Sequence, residues 1–458
     1  MRSLYSAPLI CALLTTLACS SSETTDTGVN TTPDAGFPDT GVAVDAGFAD
    51  AGFPDTGIIE GDGNDSFDQA MDIGLDVRAG HRDVLATAGD RDYYSFEGTA
   101  GTFVRVYTTS YLTNSGDRID TVIRLFDAER NQVAENDDSL PRVNVNSEII
   151  YRLPADGRYY IEVLEWSDWA GETPKGDPMF TYTVFALTVD GASAGTTVET
   201  EAGNDAASAI AAEFSGTAGL ICGSFADAND VDVFRIQVGP DGVGGHLQFE
   251  IMPGGTDGYG STNTVGQAWL TDATGVNLIA RVTLDAEGGT FGPATDPGEF
   301  LLFVKHPAGA AGANDFYVIK FFVAGENDPE VEPNDTFETA EPRALVTRAE
   351  QMDRANFVLA HLPDGDEDNF RITPTLSETV TVVCGSRAMG SGIEGLTVTL
   401  LDGAGVEVVS ATETDTALAT IEDEVATSTV MVVRLSKTGQ SAELSADFVR
   451  CGLFANPQ

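Results

Sequence analysis

Beyond residue 57 the chain is written in short runs where Val, Ile, Phe and Tyr alternate with polar residues, separated by Gly, Asp, Asn and Pro. Alternation with period two over four to eight residues is the pattern of antiparallel strands with one face on a core, and the breakers mark the turns between them. Stretches with a helical period are scarce. The clearest is brief, Ala206 to Ala212, just after an Asn-Asp pair. The pattern predicts an all-β protein.

The same order of landmarks occurs three times, which makes the strands a tandem repeat. Each unit opens on an acidic segment with Asn-Asp: Glu60-Gly-Asp62-Gly-Asn64-Asp65-Ser66-Phe67, then Glu199-Thr-Glu201-Ala-Gly-Asn204-Asp205, then Glu330-Val-Glu332-Pro-Asn334-Asp335-Thr336-Phe337. An Asp-x-Asp strand start follows: Asp90-Arg91-Asp92-Tyr93-Tyr94-Ser95-Phe96, Asp230-Val231-Asp232-Val233-Phe234, and Asp366-Glu367-Asp368-Asn369-Phe370. Next come hairpins at Val122 to Ala134, Ala268 to Ile279 and Val398 to Val408. Late strands at Tyr159 to Leu164, Phe300 to Val304 and Val430 to Leu435, with one more strand after each, close the units.

This layout resembles the bacterial pre-peptidase C-terminal domain, through Asp-Tyr-Tyr-Ser-Phe, Leu-Phe-Asp, Glu135-Asn136-Asp137-Asp138 and Pro154-Ala-Asp-Gly-Arg-Tyr-Tyr-Ile in the first repeat and Glu-Pro-Asn-Asp-Thr in the third. The second repeat lacks the Pro and the tyrosine pair. The resemblance implies three tandem jelly-roll-like antiparallel β-sandwiches, at 58–192, 198–325 and 328–458. It also implies that the opening carboxylates and the Asp-x-Asp turn meet at one corner of each sandwich around calcium.

Elementary electrostatics points the same way, since several carboxylates converging within a few ångströms repel unless a cation or protons intervene. Calcium takes six to eight oxygens in flexible geometry. The candidate ligands are Glu60, Asp62, Asn64, Asp65, Asp90 and Asp92 in the first repeat and Glu330, Glu332, Asn334, Asp335, Asp366 and Asp368 in the third. In the second they are Glu199, Glu201, Asn204, Asp205, Asp230 and Asp232, where one extra residue separates Glu201 from Asn204. The plainer alternative is that Asn-Asp forms Asx-turns and Asp-x-Asp a solvated turn.

Ahead of the repeats the pattern vanishes. Residues 20–57 contain no Lys or Arg, and Asp-Ala-Gly-Phe-Pro-Asp-Thr-Gly stands at 34–41 and again at 50–57. So little apolar content cannot offset the ordering entropy, and like charges extend the segment: the expectation is a disordered acidic linker. Residues 1–19 read as a signal peptide, with Arg2, an apolar stretch to Leu17 and a small residue before Cys19. The apolar run is too short to span a bilayer. Ala18-Cys19-Ser20 resembles a bacterial lipobox, with Thr16 where Leu is usual. That implies lipidation of Cys19 and tethering to the outer membrane or cell surface; the alternative is cleavage nearby and release.

Charge narrows the partners. Lys+Arg 24 against Asp+Glu 72 gives a net charge of -48, which disfavours nucleic acid and anionic lipid. The membrane is then reached through the lipid anchor only. Export makes disulfides available, and Cys384 with Cys451, in one repeat, are the candidate pair, leaving Cys222 as a small core hydrophobe.

No catalytic constellation stands out. Asp364-Gly-Asp366-Glu-Asp368-Asn369 begins like an EF-hand loop, but Asn369 replaces the turn glycine and Thr375 the bidentate Glu. Gly191-Ala-Ser193-Ala-Gly195 lacks the following helix of a nucleophile elbow. His81, His246, His306 and His361 are scattered. Trp166, Trp169 and Tyr111 are candidates for a contact patch or for packing. The reading is a non-catalytic surface lipoprotein whose calcium-stabilised modules bind extracellular protein or polysaccharide. The alternatives are an accessory or targeting subunit of a secreted peptidase, and a hydrolase with an unrecognised site.

Overall fold

The computed structural model describes residues 63–457 except 111–118, 140–145, 202, 240–245, 286, 294–296, 308–310, 313, 325–329, 349–352 and 416. Cys19, Glu60, Asp62, Tyr111, the signal segment and the acidic linker lie outside the described residues. No helix among the described residues is long and apolar enough to cross a membrane.

The fold is all-β, with antiparallel sheets paired into sandwiches. In the first module one sheet runs, in spatial order, Met71–Asp72, Arg91–Gly98, Gly157–Glu165, Thr121–Phe126 and Gln132–Asn136. Its partner runs His81–Val84, Thr181–Val189, Phe103–Ser110 and Glu148–Arg152. The second module repeats the plan with Ile210–Ala211, Val231–Val238, Gly298–Lys305, Gln267–Asp272 and Leu278–Thr283 against Thr196–Val198, Ala218–Ser224, Phe316–Ala324, His246–Ile251 and Gly289–Phe291. The third does so with Glu341–Pro342, Asp368–Ile372, Met431–Ser436, Thr397–Leu401 and Glu407–Thr412 against Val346–Arg348, Asp353–His361, Phe448–Pro457, Glu378–Gly385 and Ala419–Val425.

Alternation decides what each strand buries. On Arg91–Gly98 the inward set is Asp92, Tyr94 and Phe96, at 1%, 0% and 0% exposure. The corresponding sets are Asp232, Phe234 and Ile236, and Asp368, Phe370 and Ile372, all 0% exposed. The second aspartate of each Asp-x-Asp pair is therefore in phase with the hydrophobic core, not with solvent.

Each hairpin carries a register shift just before its turn, at Leu125/Phe126, Leu270/Thr271 and Leu400/Leu401. The aspartate that follows organises the turn: Asp127 accepts from Asn131 N, Asp272 from Thr274 N, and Asp402 from Ala404 N and Val406 N. The helical stretch expected over Ala206 to Ala212 does not form. Asp205 accepts from Ala207 N, Ser208 N and Ser208 Oγ, closing a turn, and Ile210–Ala211 then pairs in parallel with Val231–Val238. A local Asx-turn outcompetes a helix too short to nucleate.

The modules share buried surface. The first core takes in Leu220, Cys222, Phe316 and Val318 of the second module, and the second core takes in Val383, Met389, Phe448 and Phe454 of the third. Phe316 is 1% exposed and sits edge-on to Phe103 and Tyr151, at 5.8 and 5.6 Å. A phenylalanine so buried contributes roughly 1.5–3 kcal/mol. Gly260 fits there with φ +89, and a Cβ on it would lie 2.5 Å from the Val133 carbonyl.

At the same interface Glu148 accepts from Arg105 Nε at 2.8 Å and pairs with Lys320 Nζ at 2.5 Å. Burial opposes ionisation of Glu148, but Arg105 and Lys320 outweigh it and hold the carboxyl down to about 2. Between the second and third modules, Arg450 donates Nε to the Gly292 carbonyl at 3.0 Å and Nη2 to that of Leu247 at 3.3 Å. Cys384 and Cys451 face each other across paired strands with Cα atoms 4.1 Å apart and are joined as a disulfide, while Cys222 is a buried free thiol.

Candidate cation-binding corner

Three backbone bonds put the modules in register. Leu85 N donates to Phe180 O, Phe225 N to Asp315 O, and Leu362 N to Asp447 O. Likewise Tyr93 N donates to Asn64 O, Val233 N to Gly203 O and Asn369 N to Asn334 O. These bonds carry the opening segment onto the Asp-x-Asp strand. In this alignment Gly203 stands where Asn64 and Asn334 stand, and Asn204 where Asp65 and Asp335 stand. The extra residue seen in the second sequence repeat has moved its Asn-Asp pair one place along.

In the third module the opening segment and the strand start converge. Carboxylate oxygens of Glu330, Glu332 and Asp368 lie within 4.8 Å of one another, as do those of Glu332, Asp335 and Asp366. Glu332 belongs to both groups. Glu330 is anchored by His361 N, which donates to Oε1 at 2.7 Å, and Glu332 Oε2 accepts from Asn334 N at 2.8 Å. Asp368 and Asn334 are each 0% exposed; no N–H or hydroxyl group reaches the carboxylate oxygens of Asp368 or Oε2 of Glu330, which stand close enough to share a proton, and the amide oxygen and nitrogen of Asn334 have no hydrogen-bond partner. Burial, and then the neighbouring Glu330, push the Asp368 carboxyl far above the usual range. Burial also raises Glu330, and burial with Glu332 and Asp335 raises Asp366.

In the second module Glu199 and Asp232 are buried, but the oxygens have more partners. Asp232 Oδ2 accepts from Tyr317 OH at 2.7 Å and Asp230 Oδ2 from Ala226 N at 2.6 Å. Asn204 is exposed, with Nδ2 3.5 Å from Asp230 Oδ1, and Asp205 is committed to its turn. Asp232 Oδ1 and Glu199 Oε1 remain unpartnered. Burial raises Asp232 to about 8, with Glu199 and Asp230 adding to it against the Tyr317 bond, and burial and Glu201 raise Glu199 to about 7. Arg152 of the first module faces this corner across a cleft of about 410 Å³ that Glu201, Ser224 and Phe225 also line.

In the first module the described residues of the corner are partnered with one another and with nearby backbone. Asp90 Oδ2 accepts from Ala86 N at 2.9 Å, so this aspartate caps a turn. Asp83, from the His81–Val84 strand, accepts from Tyr94 OH at 2.7 Å and lies 3.5 Å from Asn64 Nδ2. Tyr94 OH meets Tyr182 OH at 2.6 Å, and Tyr182 OH meets Asp92 Oδ2 at 2.5 Å. Three contacts in a row need three protons, and two phenols supply two. The third belongs on a carboxyl, in keeping with burial and Asp83 raising Asp92 to about 8. Asp65 is exposed.

Sequence reasoning did not reach Asp83, Tyr94, Tyr182, Tyr317 or His361 as parts of these corners. Tyr182 and Tyr317 lie 90 and 85 residues from the aspartates they touch. The remaining candidates are placed elsewhere. Ser193 sits in a turn stabilised by Asp190. Trp166 and Trp169 are half-buried on one helical turn, Trp166–Trp169, whose Asp168 binds Arg91 at 2.7 Å. His306 and His361 pair with Asp315 and Asp447 at 2.7 and 2.9 Å.

The sequence profile of the bacterial pre-peptidase C-terminal domain matches residues 90–165. No curated protein matches the chain. Among solved structures, the CUB1-EGF-CUB2 domain of human MASP-1/3 is similar at 11% identity over 52% of this chain and 94% of that one, TM-score 0.17. A triple jelly-roll protein of an archaeal virus turret is similar at 13% identity over 81% and 82%, TM-score 0.16. The M60 catalytic domain with CBM51-1 and CBM51-2 domains from Clostridium perfringens ZmpB is similar at 9% identity over 80% and 33%, TM-score 0.18. Those structural likenesses are too loose to bear on function.

Proposed function

We propose that the chain is an exported, non-catalytic surface protein whose sandwich modules bind extracellular protein or polysaccharide, tethered by lipid on Cys19 and stiffened by calcium at its acidic corners. The observation that carries this reading is the match of residues 90–165 to a domain family of exported bacterial proteins. The acidic corners support it, because buried carboxylates held together call for a cation and extracellular fluid supplies calcium. A net charge of -48 restricts the partner to a surface not itself strongly acidic. The family's own name favours a second reading, in which the chain accompanies a secreted peptidase and positions it.

Metabolic labelling with a radioactive fatty acid tests the anchor. Label in the wild type and none in Cys19→Ala, with the variant recovered in the medium, is the expected result. Binding is tested by passing the purified chain over immobilised extracellular proteins and polysaccharides, with calcium and with chelator. Retention that chelator weakens supports the first reading, and co-purification with a peptidase the second. Hydrolysis of peptide or glycan that disappears when one carboxylate is replaced overturns both.

A further inference from the structure

We propose that the third module takes up an extended, positively charged segment of a partner protein as an added strand on Glu407–Thr412. This rests on the reading of the chain as a binding protein and narrows the partner's chemistry and its place of attachment. At both junctions a module covers the open strand edges of the module before it. The pairs Arg124–Glu135, Trp269–Arg281 and Thr399–Ser410 stand at the same distance from the hairpin shift, so Glu135, Arg281 and Ser410 are equivalent. Glu135 N donates to Gly258 O of the second module at 2.9 Å, and Arg281 N to Gly390 O of the third at 3.0 Å. Two residues earlier, Val133 and Ile279 pack against cores that take in the next module. The facing sheet is met as well, with Gly292 N donating to Met389 O at 3.1 Å and Tyr151 beside Phe316.

In the third module the same edge stands open among the described residues. Ser410 N, at the place of Glu135 N and Arg281 N, meets no backbone carbonyl of another segment there. Val408, at the place of Val133 and Ile279, is 44% exposed, and Val406 beside it 61%. Strand edges left in water are usually blunted by Lys, Pro or a covering segment. Glu407–Thr412 contains neither Lys nor Pro. An edge of this kind offers a row of backbone donors and acceptors to an incoming strand.

Charge decides the occupant. Arg105 faces Leu187 and Ile150, and Thr381 faces Phe454 and Glu422. Leu187 and Phe454 lie equally far past the register bonds at Phe180 and Asp447, so exposed Glu422 replaces buried Ile150. Its strand, Ala419–Val425, adds Asp423 and Glu424, and neither it nor Glu407–Thr412 has a Lys or Arg. An acidic segment is repelled there, and a net charge of -48 on each copy disfavours pairing of two chains. Lys or Arg alternating with apolar residues supplies cations for Glu407, Glu422 and Glu424 and cover for Val406 and Val408.

The test is fluorescence anisotropy of a labelled synthetic peptide, alternating Val and Lys over roughly six residues, titrated with the purified full-length chain. Saturable binding is expected, with none for the Val-Glu counterpart. Ser410→Pro removes the edge N–H at a place where an edge strand tolerates proline, and is expected to weaken binding at least about tenfold. Glu422→Lys with Glu424→Lys, both at exposed positions, is expected to do the same without a packing change and guards against misfolding in the proline variant. Binding that survives both variants, or that a fully N-methylated peptide reproduces, is attraction to the acidic chain at large and would overturn strand addition. Self-association of the chain that Ser410→Pro abolishes would give the edge to a second copy and overturn the basic partner. No binding of the Val-Lys peptide would overturn the edge site alone, since retention on extracellular proteins and polysaccharides tests the binding role separately.

Discussion

Glu148 and Asp368 are both carboxylates buried inside this molecule, at 3% and 0% exposure, and the chain deals with them in opposite ways. Glu148, between the first two modules, is met by Arg105 and Lys320, and its carboxyl is held down to about 2. Asp368 is met by Glu330 and Glu332, and its carboxyl is driven upward. The chain has Lys+Arg 24 for Asp+Glu 72, so fixed cations are scarce. Three of them, Arg105, Lys320 and Arg450, are buried where modules join, and the third corner is left to protons or a mobile ion. A fixed guanidinium makes a permanent joint, whereas an ion from solution makes stiffness depend on the medium.

The largest expected effect breaks the fixed side of the comparison. Glu148→Ala leaves Arg105 and Lys320 buried without their shared carboxylate, and stranding buried charge costs about 3–5 kcal/mol. Chemical denaturation would show it as an early transition of the first two modules. If the interface tolerated the change within about 1 kcal/mol, the joint would be held by Phe316 and its apolar neighbours instead.

The corners predict a pH dependence of definite sign. A carboxyl raised in the folded state binds its proton more tightly there than in the unfolded chain. Its contribution is complete below the unfolded value and is lost as pH rises through the folded one. Asp92 and Asp232, raised from 3.8 to about 8, make melting in chelator fall steadily between about pH 4 and pH 8. The limit is about 1.4 kcal/mol per pH unit for each group. Melting curves at five pH values check it, and a rise toward pH 8 would mean that these carboxyls are ionised throughout.

Tyr317→Phe sharpens the contrast between closed and open corners. It removes the hydroxyl from Asp232 Oδ2 and leaves the ring in place, for a loss of about 1–3 kcal/mol in chelator. It also makes the second corner resemble the third, so calcium is expected to offset part of that loss. A variant whose melting temperature falls equally with and without calcium would show that the hydroxyl was not standing in for an ion.

How much of this could be read from the sequence differs from residue to residue. The strands and hairpins were legible because alternation and turn residues are local. Asp92, Asp232 and Asp368 were legible as candidate ligands, and their spacing of two and four from Tyr94/Phe96, Phe234/Ile236 and Phe370/Ile372 already carried the signal that they face inward. Tyr182 and Tyr317 were not, because they arrive on the last strand of each sandwich, and only sheet packing brings them to the aspartates. Arg105, Glu148 and Lys320 look in sequence like ordinary solvent-facing strand positions. They are buried because a neighbouring module covers that face, which no period within one strand encodes. The turn at Asp205 reads in sequence as a helix start, since Asn-Asp serves both and the choice falls to whether the following residues pair with a strand.

The smallest effect is expected where the comparison has no burial behind it. Arg281 and Glu443 join the second and third modules at 3.1 Å, yet their side chains are 38% and 72% exposed. Water screens such a pair, and holding two long side chains costs entropy, so exposed pairs are worth about 0–1 kcal/mol. Glu443→Gln should shift the denaturation midpoint by no more than about 0.5 kcal/mol, and less at high salt. The backbone bond beside it, Ala446 N to Ile279 O at 3.1 Å, stays in place in that variant. A loss comparable to that of Glu148→Ala would show that this ion pair is desolvated in solution. The second joint would then, like the first, be a fixed-charge lock.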